Sequence, residues 1–195
     1  MNKTITIIKT TVILFIITSV SALLLAFVNE QTAPLIKQNE SIKQSNALKA
    51  VMPDAADFEE AEIDSQLENV SNEYGCEINN VYIAKDSTGA PVGVCSIITG
   101  NGYDSGMQIA VGVDSDLNVT DLQIIASNET PGLGQNASKP EFKDQYKGKT
   151  GNISVVKSGA GENQINAISG ATLTSEGVTR IVNAALKIAQ VKGGN

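Results

Sequence analysis

From Thr10 to Val28 the chain reads TTVILFIITSVSALLLAFV, 19 consecutive residues without a charge. Wound as an α-helix, this run is about 28 Å long, close to the roughly 30 Å of hydrocarbon in a bilayer. Lys3, Lys9 and the amino terminus precede it and Glu30 follows it. Because cytoplasmic flanks carry the excess of positive charge, the sequence predicts a cytoplasmic N-terminus (1–9), a transmembrane helix (10–28) and an extracytoplasmic remainder. A cleaved signal peptide needs a shorter apolar core and small residues before the cut. Ser19 and Ser21 offer only a weak site, and Ala22–Val28 continues the apolar run beyond it, which favours an uncleaved anchor in membrane lipid.

Residues 29–50 are polar with scattered apolar positions (Leu35, Ile36, Ile42, Leu48) and read as a helix or stalk, leaving 51–195 as the main domain. The formal net charge is −7. With no basic stripe to neutralise phosphates, nucleic acid is excluded as a partner. Histidine is absent, which removes the commonest zinc sites and every Ser-His-Asp or Cys-His mechanism, and no metal site is expected. Asp54–Glu77 holds nine acids and no base. A solvated helix face and loop is the ordinary reading of such a run, and a docking surface for a basic partner the alternative.

Between 78 and 126 the runs VYIA, VGVCSII, QIAVGV and LQIIA are separated by DSTG, TGNGYDSG and DSDLN. Successive strands with short turns predict an antiparallel sheet, and helix-like stretches on either side make the fold class α+β, an antiparallel sheet with flanking helices. In the hairpin Val81–Lys85/Val92–Ile98, Cys95 is expected opposite residue 80 or so, about 13 Å along the strand from Cys76. That distance predicts two buried free thiols rather than a disulfide.

Pro131 and Gly132, inside Asn128-Glu129-Thr130-Pro131-Gly132-Leu133-Gly134, fit the central positions of a type II turn. Lys139, Lys143, Lys147 and Lys149 follow; the first three would share one face of a helix, most simply a solvated one. After a short strand (Ile153–Val156) and the loop SGAGEN, Val178, Ile181, Val182, Ala185, Leu186 and Ala189 recur at helical spacing. They predict a C-terminal amphipathic helix of about four turns, beginning near Thr174 and closed by Gly193-Gly194. Ser154–Lys157 (S-x-x-K) and Lys149–Gly151 (K-T-G) mimic the penicillin-recognising enzymes, but in the wrong order and on the wrong elements. No glycine-rich nucleotide fingerprint is present.

Just before that last helix, INAISGATLTSEGV places four hydroxyls at Ser169, Thr172, Thr174 and Ser175. The unpaired N–H groups of a helix's first turn accept a hydroxyl cap or an anion such as phosphate. Thr174 or Ser175 is the expected cap. Gly170 and Ala171 leave the approach to Thr172 unobstructed, so a phosphate-bearing ligand at 169–175 and a merely well-capped helix both satisfy the physics.

Ser169-Gly170-Ala171-Thr172, followed by Leu173-Thr174-Ser175, resembles the S/T-G-A-T motif of the FMN-binding domain family. Glu129–Gly134 (ETPGLG) resembles that family's second motif, and Gly102-Tyr103 its GY pair. With the single anchor, the chain is similar over essentially its whole length to the G subunits of Rnf electron-transport complexes. The resemblance implies FMN joined by a phosphoester to Thr172, attached by a flavin transferase that uses FAD and a divalent metal. Ser169, Gly170, Ala171, Leu173 and Thr174 would surround the phosphate. Glu129, Thr130, Gly132, Leu133, Gly134 and Tyr103 would border the flavin. It further implies electron relay in a ferredoxin:NAD+ oxidoreductase that moves Na+ or H+, alongside other membrane and iron–sulfur subunits. Two alternatives stand beside it: the C subunit of the sodium-translocating NADH:quinone reductase, typically longer, and a cofactor-free anchored assembly module. One position departs from the motif. The family usually has aspartate six residues before the acceptor threonine, where this chain has Asn166, which keeps the shape but not the charge.

Overall fold

A computed structural model describes residues 3–193 and divides the chain into two compact units, 1–42 and 43–195. The described residues of the first unit belong to the helix α1, which runs from Lys3 to Val51, passes through Pro34 without ending and has its last residues, from Lys43 on, in the second unit. The apolar window of this helix is long enough to cross a membrane, and none of it is buried against protein. Thr11, Thr18 and Thr32 return their hydroxyls to carbonyls one turn back, so these polar groups are satisfied by the helix itself.

The second unit is built on five strands: β1 (Asp57–Ala61), β2 (Glu77–Lys85), β3 (Pro91–Gly100), β4 (Met107–Asp114) and β5 (Val119–Ala126). They lie in the order β1-β2-β3-β4-β5, every neighbouring pair antiparallel. Between β1 and β2 lies α2 (Ser65–Tyr74), begun by the carboxylate of Asp64, which accepts from the N–H groups of Gln66 and Leu67, and ended by Gly75 at φ +57°. Beyond β5 come a 3-10 turn (Gly134–Ser138), the single turn α3 (Pro140–Lys143), a second 3-10 turn (Asp144–Tyr146), the parallel pair β6 (Ser154–Val156) and β7 (Gln164–Asn166), and α4 (Thr172–Gly193).

Alternation along the strands sorts the side chains onto two faces. Val94 and Ile98 of β3, with Ile109 and Val111 of β4, meet α4 through Val178, Ile181, Val182 and Ala185. Cys95 and Ile97, with Ala110 and Ala84, meet Ala47, Leu48 and Val51 at the end of α1 and Met52 just after it. Gly112 makes the second contact close. A Cβ there would collide with the Val51 carbonyl, to which the Thr120 hydroxyl donates.

Several local expectations change. The acidic stretch is not only helix and loop, because Asp57–Ala61 is a strand. It lies at the sheet edge, where acids cost little and discourage pairing with other chains. Cys95 pairs with Tyr82, not with residue 80, since Lys85 pairs with Pro91 beyond the turn and the register slips again between Ala84 and Lys85. Cys76 and Cys95 are nonetheless free and buried, in the cores of opposite faces. Lys139, Lys143 and Lys147 do not share a helix: Lys143 donates to Leu122 and Gln123, while Lys147 pairs with Asp121 and Asp144. Finally, α4 begins at Thr172 and runs for 22 residues rather than about four turns; Gly194 lies outside the described residues.

Candidate functional site

Two glycine turns face each other across the site. In the first, the N–H of Leu133 donates to the carbonyl of Thr130 at 3.1 Å, and Gly132 at the third position has φ +77°, as the Pro-Gly pair predicts for a type II turn. In the second, the N–H of Ala171 donates to the carbonyl of Ile168 at 2.9 Å, again with a glycine, Gly170 at φ +75°, at the third position. The turns touch: a Cβ on Gly170 would lie 3.1 Å from a methyl of Leu133.

The second turn delivers the chain directly into α4, so Thr172 is the first helical residue and its side chain is exposed. Neither Thr174 nor Ser175 caps this helix. The Thr174 hydroxyl donates to Glu129. The Ser175 hydroxyl donates to the Ala171 carbonyl and accepts from the N–H of Ile168, stitching the preceding turn to the helix. Among the described residues, the N–H groups of Thr172, Leu173 and Thr174 therefore have no acceptor. Three amides without an acceptor and the positive end of the helix dipole lie beside the exposed Thr172, an arrangement suited to an anion.

Tyr103, Glu129, Thr130, Leu133, Gly134, Ala171, Leu173 and Thr174 line one cleft of about 270 Å³ next to these amides. Its rim is apolar and open, with Tyr103 73%, Leu173 56% and Leu133 43% exposed. Three large apolar side chains left in solvent around one concavity are what a planar aromatic ligand or a partner surface would cover. The residues singled out from the sequence thus lie in the cleft wall, in the two turns beside it or, for Thr172, at the first position of α4 between them. The unpaired amides at the start of α4 are of the kind that a phosphate would take, and the apolar rim is of the kind that a planar ring would cover.

Glu129 lines the cleft from within the protein. It is 3% exposed and turned inward. Its Oε1 accepts from the N–H groups of Tyr103 (2.9 Å) and Asp104 (3.2 Å), and its Oε2 from the Thr174 hydroxyl (2.8 Å). The supporting residues Asn101, Asp104, Gly177 and Arg180 carry no motif. Gly177 brings α4 against the backbone of Asn101 and Gly102, and Arg180 donates to the Asn101 carbonyl at 2.8 Å. A glycine inside an otherwise amphipathic helix was the one available signal.

Asn166 lies at the end of β7, where its Oδ1 accepts from the N–H of Ala160 at 3.1 Å. An aspartate oxygen would accept equally well, so the local structure does not discriminate between the two residues. Asn166 also borders a second concavity, shared with Lys139, Glu141, Gln145, Ala167 and Ile168.

Comparison with known proteins agrees with this geometry. The FMN-binding domain family matches residues 102–187, and the RnfG N-terminal region matches residues 1–51. The chain is 38% identical over 192 residues to the G subunit of the Na(+)-translocating ferredoxin:NAD(+) oxidoreductase complex of Acetobacterium woodii, covering 93% of this chain and 91% of that one. It is 31% identical over 188 residues to the G subunit of the ion-translocating oxidoreductase complex of Methanosarcina acetivorans, covering 95% and 96%. The crystal structure of Shewanella oneidensis NqrC superposes with a TM-score of 0.50 at 21% identity, over 70% of this chain and 69% of that one, and so shares the fold. Near-complete coverage and the matched N-terminal region place the chain: it belongs to the RnfG family, the G subunits of ion-translocating oxidoreductase complexes.

Proposed function

We propose that this protein is the FMN-carrying electron-transfer subunit of a membrane-bound, ion-translocating ferredoxin:NAD+ oxidoreductase, with FMN held covalently through its phosphate on Thr172. One observation carries the reading. The Thr172 hydroxyl is exposed at the first residue of α4, beside three N–H groups without an acceptor and a cleft walled by ETPGLG. Bound FMN would supply one- and two-electron transfer, so the protein needs no reacting side chain of its own. The amides of Thr172–Thr174 would hold the phosphate, and Leu133, Leu173 and Tyr103 would cover the flavin. The other membrane and iron–sulfur subunits of the complex are the redox partners.

Attachment is the work of a flavin transferase, with the Thr172 oxygen displacing AMP from FAD. The apolar part of α1 is the lipid anchor, its N-terminus cytoplasmic and the domain from residue 51 onward extracytoplasmic, where a tether prevents loss of a cofactor that is scarce outside the cell.

Full-length protein matured with its transferase is expected to stay yellow after denaturation and to gain the mass of one FMN phosphoester. Thr172→Ala abolishes both. Covalent flavin on the Thr172→Ala protein would overturn the assignment, and wild-type protein without flavin would favour the cofactor-free assembly module.

A further inference from the structure

A buried carboxylate is costly unless hydrogen bonds replace its water. Glu129 receives three, from segments far apart in the chain: two from the backbone of Tyr103 and Asp104, one from the Thr174 hydroxyl. Two glycines make room for it. A Cβ on Gly102 would overlap Oε1, and a Cβ on Gly134 would overlap Oε2. Neither glycine has a positive φ, so space, not backbone freedom, is what these positions require. Each of the three joined segments contributes a wall of the cleft: the 102–104 loop brings Tyr103, the ETPGLG turn brings Leu133, and α4 brings Leu173, the residue after Thr172.

We propose that Glu129 is the positioning residue of the site, a carboxylate crosslink that sets the Thr172 helix terminus, the ETPGLG turn and the Tyr103 loop in register. The proposal rests on the FMN reading above. What the site requires of Glu129 is reach and acceptor geometry rather than charge. A glutamine in its place puts one oxygen under the two amides and turns its NH2 toward Thr174, whose hydroxyl then accepts. Aspartate keeps the charge but is one methylene too short to span from the 102–104 loop to Thr174.

The test uses full-length protein co-expressed with its transferase. Covalent flavin occupancy is measured by intact mass, and the visible spectrum of the bound flavin reports its surroundings. Glu129→Gln is expected to match the wild type within about twofold in occupancy and to keep its spectrum. Glu129→Asp is expected to lose about tenfold in occupancy or to show a spectrum shifted toward that of free flavin, the scale expected when a reacting group is misplaced by a fraction of an ångström. The reverse order, with aspartate retained and glutamine lost, would show that charge is what matters and overturn the proposal. Equal behaviour of both variants, whether intact or impaired, would overturn it as well. Thr172→Ala run in parallel separates the two readings: if it retains covalent flavin the cofactor assignment fails, whereas flavin lost there with the wrong order at Glu129 refutes only the positioning role.

Discussion

The hydroxyl of Tyr146 lies 2.7 Å from that of Thr179, and Thr179 in turn donates to the carbonyl of Ser175 at 2.8 Å. Thr179 spends its own proton on the helix, so Tyr146 is the donor of the pair. Tyr146 is fully buried, and burial raises the pKa of its phenol well above the usual 10, keeping it protonated. The chain of bonds ties the 3-10 turn after α3 to the first turns of α4, directly behind the candidate site.

The two ends of that bond are not equivalent. Tyr146→Phe removes a donor and leaves Thr179 still bonded to the helix, costing about 1 kcal/mol. Thr179→Val strands a buried phenol and costs about 1–3 kcal/mol. Urea unfolding of the two variants is expected to rank Thr179→Val as the more damaging.

Gly177→Ala is expected to destabilise, against helix propensity. In an exposed helix the change is worth about 1 kcal/mol of stabilisation. Here the new methyl would meet the Asn101 carbonyl at 2.5 Å and the Gly102 Cα at 2.8 Å, both backbone atoms that cannot step aside. Overpacking of this kind costs about 1–3 kcal/mol. A lowered thermal midpoint together with reduced flavin occupancy is expected, because the displaced loop carries Tyr103.

Asp64 joins the start of α2 to the end of α4. It accepts from Lys192 at 2.8 Å as well as from the two α2 amides. The Lys192 hydrogen bond, then the amide bonds, hold its pKa below the usual 3.8. A folded-state pKa below the unfolded one gives stability that is present above about pH 4 and is lost as the pH falls through the lower, folded value. Comparing Asp64→Asn with wild type by thermal melts at neutral pH and again below pH 4 checks this. Asparagine keeps the cap but not the ion pair, so the gap between the two proteins should narrow on acidification.

Asn166→Asp should leave the thermal midpoint unchanged, since an aspartate oxygen accepts the Ala160 amide as the asparagine oxygen does. If the flavin transferase uses the motif charge, the same variant flavinylates faster than wild type. The time course of covalent flavin incorporation, followed by mass, measures this. Equal rates would mean the charge at this position is dispensable.

What could be read from the chain alone was local. An unbroken apolar run requires a long helix, period-2 and period-3.6 patterns require strands and an amphipathic helix, and Pro131-Gly132 requires its turn. ETPGLG and SGAT pointed to candidate-site residues because both motifs occupy short continuous segments. The errors have the same origin. Asp57–Ala61 has a strand's geometry without a strand's composition, and only pairing with β2 stabilises it. The hydroxyls of Thr174 and Ser175 fit a helix cap by position, yet one is drawn to Glu129, 45 residues away, and the other to the preceding turn. Short-range hydrogen-bonding rules rank partners by closeness in sequence, whereas a buried carboxylate takes whichever donors the packed chain brings to it. Composition and spacing therefore determined the anchor, the sheet and the position of Thr172. Only tertiary packing decided that Glu129 faces inward, that Gly102 and Gly134 serve it, and that the first amides of α4 are left free beside Thr172.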